Sequence, residues 1–143
     1  MNIAKKIILA SATAVALSAC SSMPWNNVRL AGSMSGGEEV PAVNTAGRGT
    51  LDGSYNKDTH KLVYTVTYEG LSGPATAAHF HGPASLGQNA GVVVPLAGTA
   101  TPIKGEATLS DAQAADLLAG RWYVNVHTRA HPGGEIRGQV GVR

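Results

Sequence analysis

Residues 61–68, Lys-Leu-Val-Tyr-Thr-Val-Thr-Tyr, leave the backbone little choice. Leu62, Tyr64, Val66 and Tyr68 alternate with Val63, Thr65 and Thr67, and a strand satisfies that period of two where a helix does not. The β-branched and aromatic side chains fit a pleated surface. Asn56, Lys57, Asp58 and Thr59 before them are turn formers, so 49–55 and 61–68 are expected to pair as a hairpin. Similar short segments recur at 28–34, 75–81, 92–96, 103–109, 121–128 and 135–142, punctuated by turns that draw on 18 glycines. About eight short strands at this spacing predict an all-β domain, a Greek-key sandwich or barrel.

One segment departs from the pattern. Residues 111–119 read as a short helix. Ser110 is placed to cap it, and Gln113 three residues on completes a capping-box spacing. Asp111 suits the positive end of the helix dipole, and Gly120 suits the position just past the last turn. The helix is expected to close one end of the β structure and to lead into the strand that carries His127.

The first twenty residues read as an export signal. Lys5 and Lys6 precede an apolar run over 7–17, too short for a full membrane span. The run ends in Leu17-Ser18-Ala19-Cys20, similar to the lipobox of bacterial lipoproteins. By that resemblance Cys20 would be lipidated after cleavage, with residues 21–27 as a polar tether and 28–143 as the folded domain. Ser21 and Ser22, with no aspartate after the cysteine, imply sorting to the outer membrane, facing the periplasm. Cys20 is the only cysteine, so no disulfide within the chain is expected. Beyond residue 20, Lys+Arg and Asp+Glu both number 9. That balance leaves no basic stripe for nucleic acid, and membrane attachment is expected from lipid rather than surface charge.

Chemistry is concentrated in the histidines. Four of the five fall in two groups, His79-Phe80-His81 and His127-Thr128-Arg129-Ala130-His131. Residues two apart on a strand project from one face, so His79 and His81 aim their rings the same way. His127 ends another strand, on the face that Tyr123 and Asn125 share, and His131 follows in a loop. Imidazole is the commonest metal-donor side chain. Convergence of His79, His81, His127 and His131 would make an all-nitrogen site suited to copper, with zinc as the alternative. Met23 and Met34 are auxiliary thioether candidates, set against a plain core role for Met34. Glu135 and Arg137 share a face of the last strand. They are candidates to support the site, Glu135 by orienting an imidazole, or to form a cross-strand ion pair. The competing reading of the histidines is structural, each ring tying a neighbouring loop to the sheet.

Four phrases, in this order, resemble one family. They are Gly37-Glu38-Glu39-Val40-Pro41, Ala78-His79-Phe80-His81-Gly82-Pro83-Ala84, Tyr123-Val124-Asn125-Val126-His127-Thr128 and Pro132-Gly133-Gly134-Glu135-Ile136-Arg137-Gly138. The chain is thereby similar to the chordin domain (CHRD) over about 28–143, as a bacterial lipoprotein member. The resemblance implies a compact immunoglobulin-like or superoxide-dismutase-like sandwich and little about activity. In animal chordin the domain belongs to a growth-factor antagonist, a partner that a bacterial envelope does not hold.

Three functions follow as expectations. The first is a lipid-anchored envelope protein that binds copper for sequestration, storage or transfer. The second is a metal-free interaction module, pairing with itself as a homodimer or with another envelope protein. The third, an enzyme of superoxide-dismutase type, has little support. The sequence contains no Gly-x-Ser-x-Gly elbow, no catalytic cysteine and no phosphate-binding glycine loop leading into a helix.

Overall fold

A computed structural model describes residues 26–143. The expected signal segment, Cys20, Met23 and all but the last two residues of the expected 21–27 tether lie outside the described residues.

The described chain is β structure with one helix. Strand β1 (Asn27–Ser35) runs through a short 3-10 turn (Gly36–Glu38) and a loop to β2 (Arg48–Asn56) and β3 (Lys61–Glu69). Then come β4 (Ala75–His81), β5 (Val92–Pro95), β6 (Ile103–Thr108), α1 (Asp111–Leu118), β7 (Tyr123–Thr128), β8 (Ile136–Gln139) and β9 (Gly141–Val142). The expected hairpin is present. Nine consecutive residues of β2 and β3 pair in register, from Arg48 opposite Glu69 to Asn56 opposite Lys61. Asn56 builds its turn, accepting from the backbone N–H of Asp58 and Thr59.

All strand pairs are antiparallel, in the order β5-β4-β7-β8-β1-β2-β3-β6, with β9 also on β1. The sheet curls into a nearly closed barrel. Chain order and spatial order part company three times, at β3 to β4, β5 to β6 and β6 to β7. The last of these crossings carries α1. Its capping box is formed: Ser110 Oγ accepts from Gln113 N at 3.2 Å, and Gln113 Oε1 accepts from Ser110 N at 3.0 Å. Gly120 ends it at φ +70°, where a side chain is strained.

Alternation packs the interior. Leu62, Tyr64 and Val66 of β3 point inward with Phe80, Val124, Val126 and Ile136. Each side chain removed from water contributes roughly 1.5–3 kcal/mol. The segment 135–142, expected as one strand, is two. Val140 is buried between them, and the chain changes partner from β7 to β1.

Candidate metal centre

The antiparallel register of β4 and β7 sets His79 opposite Asn125, His81 opposite Tyr123 and His127 opposite Ala77. On the other side of β7, Arg137 of β8 lies opposite Asn125. Phe80, Val124 and Val126 fill the core, so the period of two turns His79, His81, Tyr123, Asn125 and His127 to the reverse face. That face is covered rather than open. All six residues of β7 are buried, because loops from 39–43, 83–91 and 129–135 fold over it.

His79, His81 and His127 converge, with one ring nitrogen of each lying within 4.8 Å of the others. His79 Nδ1 is 3.1 Å from His127 Nε2. Both His81 and His127 bind the roof by their other nitrogen. His81 Nδ1 donates to Ala90 O at 3.0 Å, and His127 Nδ1 donates to Pro132 O at 2.8 Å. A carbonyl only accepts, so each neutral ring carries its proton on Nδ1 and a lone pair on Nε2. The two Nε2 atoms point to the same place, 3.0 and 2.9 Å from Asn125 Oδ1.

Burial holds the His79 ring below the ordinary imidazole pKa, helped by the neighbouring His127 and His81. Burial also lowers His81. Its hydrogen bonds to Ala90 and Asn125 act the other way, and charge on His127 and Arg137 adds to the lowering. Both rings therefore keep the neutral, ligating form further into acid than a free histidine.

Around the rings stands a supporting layer. Tyr123 stacks on His81, and its hydroxyl donates to the Ala90 carbonyl that also receives His81. Arg137, 2% exposed, lies 3.5 Å over the Tyr123 ring and donates to Asn89 Oδ1 at 3.0 Å and Gln88 O at 2.7 Å. Glu39, buried by the loop after the 3-10 turn, leaves Oε1 without a partner. Burial raises its pKa to about 7, against the opposing pull of Arg137 and, more weakly, of the nearby Asn125 amide and Val40 backbone N–H.

The other expected site residues go elsewhere. His131 is not in the three-ring cluster. It lines a surface hollow with Glu39, Pro41 and Gly133, and its backbone exchanges hydrogen bonds with Thr128. Met34 is a core residue at 2% exposure, packed against Gly49 and Gly138. Glu135 neither orients an imidazole nor pairs with Arg137. It is fully buried and accepts from Thr45 Oγ1 (2.6 Å), Ser72 N (2.8 Å), Ser72 Oγ (2.6 Å) and Thr128 Oγ1 (2.6 Å). Burial disfavours its charge, but these bonds outweigh burial and bring its pKa down to about 2. The carboxylate ties three separate loop ends together beside the histidines.

Asn125 and Glu39 had no assigned role in the sequence. Asn125 carried a signal, since it sits two residues before His127 on the same face. Glu39 carried none, because only the folding of its loop over β7 brings it there.

The model of one family, the CHRD domain, matches residues 30–140. No curated protein and no solved structure matches the chain.

Proposed function

The chain belongs to the CHRD-domain family, and from that premise we propose that it is an envelope protein, lipid-anchored through Cys20, that holds one copper ion on His79, His81 and His127. One observation supports this above the rest. Two backbone carbonyls fix the protons of His81 and His127 on Nδ1, so both Nε2 lone pairs aim into one spot beside a third imidazole. Histidines that ligate metals characteristically donate their second N–H to a carbonyl or carboxylate in this way. One separation fits as well. A tetrahedral ion with bonds of about 2.0–2.1 Å has donors about 3.3–3.4 Å apart, and His79 Nδ1 and His127 Nε2 stand at 3.1 Å.

An all-imidazole set without thiolate suits Cu(II) or Zn(II), and the stability order of divalent ions favours copper. The CHRD domain is not a known enzyme family. Sequestration, storage or transfer of the ion in the periplasm is the role that a buried, carbonyl-braced site fits.

One observation favours a second reading. The His79–His127 separation is also hydrogen-bond length, so a proton on His79 Nδ1 would make the cluster a structural relay in a metal-free interaction module. Tag-free purification, elemental analysis and titration with Cu(II) separate the two. The copper reading expects about one ion per chain, lost in the His79→Ala, His81→Ala double variant. The structural reading expects no bound metal and a lower melting temperature in the same variant. A double variant that titrates like the parent overturns the copper reading.

A further inference from the structure

Asn125 lies between two of the rings. Its Oδ1 stands 3.0 Å from His81 Nε2 and 2.9 Å from His127 Nε2. Both Nε2 atoms are lone pairs in the neutral rings, for the reason given by Ala90 and Pro132. A proton on His79 Nδ1 would serve His127 Nε2 alone, and Asn125 Oδ1 and His81 Nε2 would still face each other as two acceptors with no hydrogen between them. Unpaired acceptors at that range in a buried place are costly, and a cation between them removes the conflict.

The other resolution is to turn the carboxamide over. Nδ2 would then face the rings, and its two N–H groups would serve both lone pairs, with no ion needed. The surroundings of the amide oppose that turn. Its Nδ2 side faces Glu39: a Cβ built on Gly134 would meet Glu39 Oε1 at 2.2 Å and Asn125 Nδ2 at 2.7 Å, so both atoms converge over that glycine. Turning the amide would set its oxygen against Glu39, whose carboxylate form only accepts and whose Oε1 already lacks a partner.

We propose that Asn125 Oδ1 is a ligand of the same centre, completing a three-nitrogen, one-oxygen set, and that Glu39 holds the amide in its ligating orientation. The proposal rests on the three-histidine reading above. All four donors are neutral, so a divalent ion would keep its full charge among them. Glu39, against the far side of the Asn125 amide, is an acid placed to balance it. Arg137 on the other side of Asn125 is committed to Tyr123, Gln88 and Asn89.

The test uses metal-stripped protein titrated with Cu(II) or Co(II) alone, in the parent, Asn125→Leu and Asn125→Asp. Affinity is read by chelator competition, and the coordination sphere by the visible ligand-field spectrum of the Co(II) form. Asn125→Leu, nearly the same size and unable to ligate, is expected to weaken binding at least about 10-fold and to change the Co(II) spectrum. Asn125→Asp puts an anionic oxygen in the same place and is expected to tighten binding. Parent-like affinity and a superimposable spectrum in Asn125→Leu overturn the amide ligand and leave the three-histidine centre standing. If Asn125→Leu does not fold, Asn125→Asp decides, and unchanged or weaker binding there overturns the proposal. A parent that takes up neither ion overturns both readings.

Discussion

The ring of Tyr123 lies parallel to that of His81, with planes 1° apart and centroids 4.7 Å apart. With His81 on one face, the guanidinium of Arg137 takes the other. The three side chains come from three neighbouring strands, β4, β7 and β8, and form one pile. Arg137 then holds the 83–91 loop through Gln88 and Asn89, and the same loop supplies the carbonyl that orients His81.

Arg137→Met keeps an unbranched apolar stem and removes the guanidinium with its charge and donors. It forfeits a cation–π contact and two buried hydrogen bonds, an expected loss of about 2–3 kcal/mol. Chemical denaturation of the metal-free protein measures that. Copper affinity should fall about 10–100-fold with it, because His81 loses the backing that orients it.

His127 and His131, four residues apart, should behave differently. His127→Ala removes a donor of the cluster and should abolish stoichiometric copper binding. His131→Ala should leave it within about 3-fold, since that ring stands outside the cluster and removal of a supporting residue costs more than this. Equal losses in the two variants would place His131 among the ligands after all.

Two buried acids should give opposite pH signatures, both read by denaturation in the presence of chelator. Glu135 is held at about 2 in the fold against 4.5 in the unfolded chain. The unfolded state binds more protons between those values, so the stability Glu135 supplies is complete above 4.5 and drains as pH falls towards 2. Glu135→Gln should flatten that acid limb and cost about 2–4 kcal/mol at neutral pH.

Glu39 works the other way. Its carboxyl is raised to about 7 from 4.5, so the folded state holds the proton more tightly and stability declines as pH rises through that interval. Glu39→Gln should be more stable than the parent above pH 7, and the difference should close near pH 4.5. A constant difference across the range would mean that the carboxyl titrates normally.

The helix offers a test away from the site. Ser110→Ala removes one half of the capping box and should cost about 1 kcal/mol, with no effect on copper binding.

The architecture was largely legible in the chain. Period-two alternation placed every main strand, and the Ser110–Gln113 spacing placed the helix. The break at Val140 was hidden because 135–142 alternates straight through, while the change of strand partner that interrupts it is a tertiary event. The site was legible where it depends on strand geometry. His79 and His81 share a face because they are two apart, and Asn125 and His127 for the same reason. It was illegible where it depends on loops. Glu39 is far from β7 in sequence and meets it only through loop packing. Glu135 and Arg137 alternate like an exposed pair, and only the covering segments explain why both are buried and bonded to different partners. His131 looked like His127 because four residues of separation says nothing about which way a turn throws a side chain.

The three rings hang from two strands already joined along a ladder that runs from Ala75 opposite Thr128 to His81 opposite Tyr123. Cross-strand amide bonding sets the spacing of their attachment points, and that bonding exists whether or not anything is bound. Capture of an ion there, as proposed, would require no new pairing of the two strands. Its speed should follow the shedding of hydration water by the incoming ion, and its departure should leave the cradle in shape for the next. If the cluster holds an ion as proposed, each cycle of filling and emptying would begin from the same strand-set spacing.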